Sequence, residues 1–151
     1  MFKYCVWYLL NDTHIINNKI AHNSKILKTS SFPGHITIKH TLDRKQAENI
    51  FDEYSKKEKP FFLRFGQLKS SSTKIGNTTF QSIEQPLKVC GMYIPNPHVS
   101  MAYRINKEPF TTDEVEKINT STFNIIYSDF TVCLAKCFSE DPSEWKIIKK
   151  F

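Results

Sequence analysis

The chain has 151 residues and a mass of 17.7 kDa, the usual size of one domain, so we expect a single domain over residues 1–151. Hydrophobic residues make up 40% of it and charged residues 24%, which excludes a disordered or collagen-like chain. Its 21 Lys and Arg outnumber its 15 Asp and Glu, giving a net charge of +6. This charge favours an anionic partner such as a nucleotide or RNA, although an acidic protein is an alternative.

Neither a membrane span nor an export signal is expected. The longest apolar run, Tyr4–Leu10, is far shorter than the roughly 20 residues that a membrane span requires. No small-residue cleavage site follows this run, so we expect a cytoplasmic protein without membrane contact. A chain of this length does not need cross-links, so we expect buried thiols and no disulfides at the four cysteines, Cys5, Cys90, Cys133 and Cys137.

The first predicted elements are a strand and a helix. Residues 3–10 are aromatic and β-branched enough for a strand that is buried on both faces. Apolar residues then recur at roughly helical spacing over residues 12–27, which predicts a helix. Asn11 or Asp12 can cap its start, because both side chains accept hydrogen bonds from free backbone amides.

A second strand and helix follow a turn at residues 32–34. Polar and apolar residues alternate over residues 35–42, as they do in a half-buried strand. Asp43 offers the N-cap of a second helix, which carries an apolar stripe and ends before Pro60.

The remainder of the chain is predicted to be mostly β, with a meander of antiparallel pairs in the middle. A hydroxyl cap at Thr111 or Thr112, followed by acidic residues, predicts one short helix. Asp141 and Pro142 predict a turn between the last two strands. We expect strands, in chain order, over residues 61–68, 75–83, 87–94, 98–105, 130–138 and 145–148.

Two segments share one pattern, in which a histidine, an apolar residue, a hydroxyl residue and an apolar residue follow a turn that contains proline. They read HITI at residues 35–38 and HVSM at residues 98–101. Because side chains alternate along a strand, His35 shares a face with Thr37, and His98 shares one with Ser100. If the two strands adjoin, one imidazole can take a proton from an attacking oxygen and the other can protonate the leaving oxygen of a phosphodiester. The two hydroxyls can hydrogen-bond the phosphoryl oxygens.

Chance offers an alternative explanation of the pattern. With five histidines in the chain, about one His-x-Ser/Thr triplet is expected at random, and residues 22–24 can be that triplet. Requiring apolar residues at the second and fourth positions lowers the expected number to about 0.1, so a random pair has a probability on the order of one in a hundred. A pair of core or surface histidines is the alternative to a catalytic pair.

The paired motifs, 63 positions apart in a basic chain with this order of elements, resemble the 2H phosphoesterases, also called LigT-like or cyclic phosphodiesterases. The resemblance extends over most of the chain, from the aromatic first strand to the last strand with its tryptophan. It implies an α+β, bilobal, pseudo-twofold fold, with two antiparallel sheets forming a central cleft and helices on the outside. It also implies a site that needs no metal or cofactor, with His35 and His98 as general base and acid in either order. Thr37 and Ser100 would hold the phosphate.

Four further residues are candidates for binding the substrate. Lys39 and Arg104 share the strand parity of the catalytic pairs and can attract phosphate, although solvated cations at strand ends are the alternative. Tyr103 stands where many members of the family carry arginine, and an aromatic residue there resembles the members that trim small-RNA ends. Tyr103 can therefore stack a base, although simple alternation places it on the apolar side of its strand, as a core tyrosine. Trp7 lines the pocket or belongs to the core.

Metal chemistry has little support in the sequence. Cys133 and Cys137 would lie ~13 Å apart along a strand, too far to share one zinc ion. His40 lies on the face opposite His35 if its strand is regular, so it is not an obvious third ligand.

We expect a metal-independent phosphodiesterase whose substrate is a nucleotide or short oligonucleotide with a cyclic or 2′-linked phosphodiester. A small basic chain rich in Lys, Ile and Asn favours a viral enzyme that degrades cyclic dinucleotides of the cGAMP type or 2′,5′-oligoadenylates. The enzymatic alternatives are a 2′,3′-cyclic phosphodiesterase, an RNA 3′-end processing enzyme or RNA end joining. A basic RNA-binding module without catalysis is the alternative from another class. No obligate protein partner is inferred.

Overall fold

The computed structural model describes residues 4–118 and 124–151, and over these ranges the chain forms an α+β fold with two antiparallel sheets and three α-helices. None of the helices in these ranges is long and apolar enough to cross a membrane. Short 3-10 helices cover Tyr127–Asp129 and Pro142–Glu144. The helices are α1 (Ile15–Leu27), α2 (Arg44–Lys56) and α3 (Thr112–Glu116). The strands are β1 (Tyr4–Leu10), β2 (His35–Thr41), β3 (Phe61–Arg64), β4 (Lys69–Ile75), β5 (Thr78–Cys90), β6 (His98–Ile105), β7 (Asn124–Ile125), β8 (Phe130–Lys136) and β9 (Lys146–Lys150).

The first sheet has the order β2-β1-β8-β9. The prediction that β1 is buried on both faces is confirmed, since one face packs into the main core and the other into a smaller cluster. The helix α2 contacts β1, β2 and β8, and it buries Ala47 and Phe51 against the main core. Three thiols, Cys5, Cys133 and Cys137, are buried in the smaller cluster, whereas Cys90 is only half-buried; all four are free.

The second sheet is built around the long strand β5. The first part of β5 lies between β4 and β6, and its last residues pair with β3, which in turn pairs with β7. The helix α1 packs on β6. The two sheets meet where β2 contacts β6, so the two His-containing strands adjoin.

The predicted strand bounds in the middle of the chain are wrong. Residues 69–73, expected to be a Ser-rich turn, begin β4, and residues 84–86, expected to be a turn at Pro86, lie inside β5. The actual turn is at Gly76, whose φ of 60° lies in the left-handed region that glycine adopts most easily. The regular β4–β5 ladder from Lys69↔Glu84 to Ile75↔Thr78 outweighs the poor strand propensity of serine.

The predicted cap of the first helix is also wrong. The helix begins at Ile15, and the ring Nδ1 of His14 accepts its capping hydrogen bond from the backbone amide of Ile16 at 3.2 Å. The side chain of Asn11 donates instead to the carbonyl of Ser128 at 2.8 Å, so it is engaged elsewhere. The predicted cap at Asp43 is confirmed, and so is that at Thr111, one of the two residues proposed for the third helix.

Each His-containing strand carries a β-bulge at the same place in its motif. On β2, Thr37 and Lys39 pair with neighbouring residues of β1, which leaves Ile38 without a partner. On β6, Ser100 and Ala102 pair with neighbouring residues of β5, which leaves Met101 without one. A bulge inserts one extra residue into a strand, so the alternation of side chains reverses after it. This reversal decides which residues beyond each motif face the cavity described below.

Candidate active site

The two motifs open onto one cavity of about 340 Å³ where the two sheets meet. All four residues of the predicted pairs, His35, Thr37, His98 and Ser100, line this cavity. Two imidazoles and two hydroxyls thus share one small volume, which is the arrangement that acid–base cleavage of a phosphodiester requires.

The two histidine rings are held in the same way. The Nδ1 atom of His35 lies 2.7 Å from the carbonyl oxygen of Pro33, and Nδ1 of His98 lies 2.9 Å from that of Asn96. Because a carbonyl oxygen only accepts, each Nδ1 carries a hydrogen and donates it. The atom left for proton transfer in each ring is therefore Nε2.

The bulge at Met101 changes which side chains face the cavity after the second motif. Simple alternation placed Tyr103 on the apolar side and Arg104 with the catalytic pair, but the alternation reverses at Met101. Tyr103 lines the cavity and also packs against the main core, so both of its predicted environments are present. Arg104 is absent from the lining: its guanidinium donates to the carboxylate of Glu114 at 2.8 Å and lies 4.0 Å from the ring centre of Phe110.

The bulge at Ile38 brings one further residue of β2 to the cavity. His40 was expected to lie opposite His35 on a regular strand, but the strand is irregular and His40 lines the cavity. Lys39 lines it as well, so a cation and a second titratable ring lie beyond the first motif. Burial and the charge of Lys39 both lower the pKa of His40.

His35 is deeply buried, with 4% of its surface exposed. Its ring stacks on Trp7, with the ring centres 3.8 Å apart and the planes 18° from parallel. Burial lowers the pKa of His35 to about 4; the hydrogen bond to Pro33 opposes this shift and the charge of His98 adds to it. His35 is therefore neutral at neutral pH, and its Nε2 can accept a proton. Trp7, which was expected in the pocket or in the core, lines the cavity and is also part of the smaller core cluster.

His98 faces a buried carboxylate that sequence analysis missed. Its Nε2 lies 3.3 Å from Oε2 of Glu84, whose side chain is 5% exposed against 25% for that of His98. Glu84 lies on β5 directly opposite Ser100 on β6. It was missed because residues 84–86 were predicted to be a turn, whereas an acidic residue on a central strand would have been a signal of a charged site.

The hydroxyl of Ser100 is available to a ligand. The residue is 3% exposed, and among the described residues its Oγ has no partner at hydrogen-bond geometry. A buried hydroxyl without a partner is costly, so one that lines a cavity is a natural donor to a bound anion. The neighbouring Tyr103 keeps its proton, because burial raises the pKa of its phenol; the nearby Ser100 hydroxyl, whose contact with it falls short of full hydrogen-bond geometry, only partly offsets this shift.

The rest of the lining is aromatic and hydroxylic. Trp145 packs edge-on against Tyr103 with ring centres 5.5 Å apart, and both rings line the cavity with Phe80. Ser71 and Thr73 contribute hydroxyls from β4. Sequence analysis missed these two because their segment was predicted to be a turn.

Within residues 4–118 and 124–151, no three or more His, Cys, Asp or Glu side chains are arranged to hold a metal ion. No protein-family model matches the chain, and no curated protein is significantly similar to it.

Proposed function

We propose that the protein is a metal-independent phosphodiesterase of the 2H type, with His35 and His98 as its acid–base pair. The observation that carries this proposal is that both His-x-Ser/Thr motifs line one cavity, each ring anchored through Nδ1 to the carbonyl two residues earlier. The equivalent bulges at Ile38 and Met101 support a pseudo-twofold relation between the two strands, and hence a bilobal fold of this type.

The reaction uses the two Nε2 atoms. One imidazole removes a proton from the attacking hydroxyl or water as its oxygen bonds to phosphorus, and the other protonates the leaving oxygen as its bond to phosphorus breaks. Thr37 and Ser100 donate hydrogen bonds to the phosphoryl oxygens, where negative charge builds up. Each proton transfer is worth roughly 10²–10⁴-fold in rate.

The substrate in this proposal is a nucleotide or short oligonucleotide whose phosphodiester is cyclic or 2′-linked. Lys39 supplies positive charge at the cavity, and Tyr103, Trp145 and Phe80 supply aromatic surface for a base. Cyclic dinucleotides and 2′,5′-oligoadenylates are the first substrates to test, and 2′,3′-cyclic phosphates and RNA 3′ ends follow.

The first test is turnover in EDTA of 2′,3′-cyclic mononucleotides, 2′,5′-oligoadenylate, and cyclic dinucleotides with 2′–5′ and 3′–5′ linkages. We expect wild type to cleave at least one of them, and His35→Ala and His98→Ala each to lose roughly 10²–10⁴-fold in kcat. His22→Ala is the matched control, because His22 begins the third His-x-Ser/Thr triplet but lies on α1, outside the cavity lining.

Two results would contradict the proposal. The first is that wild type cleaves no member of the panel, and the second is that cleavage persists in both alanine variants. Salt-dependent binding of long RNA that survives both substitutions, without any cleavage, would instead support the RNA-binding module.

A further inference from the structure

Glu84 is a buried acidic residue for which the two-histidine mechanism above has no role. A buried carboxylate is stable only when it is paired and hydrogen-bonded. The partners of Glu84 are Nε2 of His98 at 3.3 Å, the hydroxyl of Ser82 at 3.4 Å and the ammonium of Lys69 at 3.8 Å. Lys69 is 56% exposed, so its pairing is largely screened by solvent, and His98 is the less exposed of the two cationic partners.

Both ring nitrogens of His98 face acceptors. Its Nδ1 lies 2.9 Å from the carbonyl oxygen of Asn96, and its Nε2 lies 3.3 Å from the carboxylate of Glu84. The second contact is at ion-pair distance, and a carboxylate this close favours the imidazolium form of the ring through its charge. His35 differs, because among the described residues it makes no ion pair and its ring stacks on Trp7.

We propose that Glu84 is a positioning residue that keeps His98 protonated, so that His98 is the general acid and His35 the general base. This inference rests on the proposed function. In the reaction, Nε2 of His35 takes the proton of the attacking oxygen as the new phosphorus–oxygen bond forms. Nε2 of His98 gives its proton to the leaving oxygen as the old bond breaks. Solvent then returns the proton from His35 to His98, which restores the pair with Glu84.

The assignment also fixes which histidine each reacting oxygen meets. The leaving oxygen lies at Nε2 of His98 on β6, beside Ser100. The attacking hydroxyl or water lies towards β2, beside His35 and Thr37.

Several charged or titratable groups surround His98 and belong in any test based on pH. Glu84 on β5 is the anion, Lys69 on β4 contacts the same carboxylate, and His35 on β2 is subject to the charge of His98. Tyr103, on the same strand as His98, keeps its proton because burial raises its pKa. Removal of the negative charge of Glu84 leaves only neutral or positive groups among these neighbours, so no anion among them then favours the imidazolium form of His98.

The main test is the pH profile of kcat/KM from pH 5 to 9, with the panel substrate that wild type cleaves best. We expect Glu84→Gln to approach wild-type activity near pH 5 and to fall about tenfold or more below it at pH 8. Glu84→Asp keeps the charge and should keep the wild-type shape. Glu48→Gln is the matched control, because Glu48 pairs with Arg44 on α2, outside the cavity lining. A loss in Glu84→Gln that is the same at every pH would overturn the proposal, since that is the mark of a merely structural residue.

Lys69→Met provides a second variant that does not disturb the core. Because the pairing of Lys69 with Glu84 is largely screened, its removal should leave the alkaline limb of the profile in place or move it slightly to higher pH. A shift to lower pH would contradict the assignment.

A change of leaving group separates acid from base. We compare two esters with the linkage that wild type prefers, one with a nucleoside and one with p-nitrophenol as leaving group. The nucleoside needs a general acid to protonate its oxygen, whereas p-nitrophenolate leaves without a proton. We expect His98→Ala and Glu84→Gln to recover most of their lost rate on the p-nitrophenyl ester, and His35→Ala to recover none. Recovery by His35→Ala instead would reverse the assignment.

Nitrogen NMR of the histidine rings distinguishes failure of the proposed function from failure of the inference about Glu84. If wild type cleaves no substrate, the proposed function fails, but titration of the His98 ring still tests its pairing with Glu84. The midpoint of this titration should fall in Glu84→Gln and stay unchanged in Glu48→Gln, and an unchanged midpoint in Glu84→Gln would overturn the inference.

Discussion

At the scale of single residues, the neutral state of His35 has a consequence for stability. Burial lowers its pKa to about 4, whereas an unfolded histidine titrates near about 6.5. Between these pH values the unfolded chain binds a proton that the folded chain excludes. The free energy of unfolding therefore falls as the pH is lowered through this window, by roughly 2–3 kcal/mol for this residue.

We expect His35→Gln, which cannot take up this proton, to lose less stability on acidification than wild type. Urea unfolding at pH 7.5 and pH 4.5 measures the effect, and the difference between the two proteins should be roughly 2–3 kcal/mol. His22→Gln, on α1 outside the cavity lining, should behave like wild type. Equal acid sensitivity of wild type and His35→Gln would show that the buried imidazole does not resist protonation.

Individual residues differ in how far the sequence could predict them. The four residues of the two motifs could be selected because histidine and hydroxyl residues two apart on a strand share a face, and all four line the cavity. Glu84 could not be selected, because its importance comes from a cross-strand neighbour, Ser100, and from His98, which are 16 and 14 positions away in sequence. The pairing register of strands that are distant in sequence cannot be predicted from the local sequence pattern.

At the scale of elements, the two bulges set the composition of the cavity. Periodicity predicts a strand but not the extra residue that a bulge inserts, because a bulged residue such as Met101 remains apolar and buried. The existence of strands β1 and β6 and the caps at Asp43 and Thr111 were predictable from local chemistry. The β4–β5 hairpin was not, since its stability comes from pairing with neighbours.

The bulge at Met101 predicts opposite effects for two adjacent substitutions. Tyr103→Ala removes an aromatic surface from the cavity and should raise KM about tenfold, as expected for loss of one stacked base. Arg104→Met removes a contact with Glu114 outside the cavity lining, so kcat/KM should stay within about twofold while stability falls by about 1 kcal/mol. Steady-state kinetics and thermal unfolding of both variants measure these effects. A large rise in KM for Arg104→Met, with none for Tyr103→Ala, would indicate regular alternation beyond Ser100.

At the scale of the whole molecule, the net charge of +6 should strengthen the binding of an anionic substrate without changing the rate of bond cleavage. Exposed charges are screened by salt, whereas interactions inside a buried site are screened much less. We therefore expect KM for an anionic nucleotide to rise several-fold between about 0.05 M and 0.5 M KCl, with kcat nearly constant.

Lys39 and Lys45 provide the comparison for this effect. Lys39 lines the cavity, whereas Lys45 lies on α2 outside the cavity lining, so Lys39→Met should weaken the salt dependence of KM more than Lys45→Met. A fall in kcat that parallels the rise in KM would show that salt disturbs the catalytic groups themselves.

The first sheet also sets the order in which the protein can be made. The strand β1 has one neighbour at His35–Thr41 and the other at Phe130–Lys136, so it stays half-paired until synthesis has passed residue 136. Until then, an aromatic strand that is buried on both faces in the finished protein has no partner along one edge. A ribosome-bound chain would therefore contain the first motif, on β2, long before β8 and β9 complete the first sheet. During this interval the unpaired edge of β1 is open to pairing with other chains.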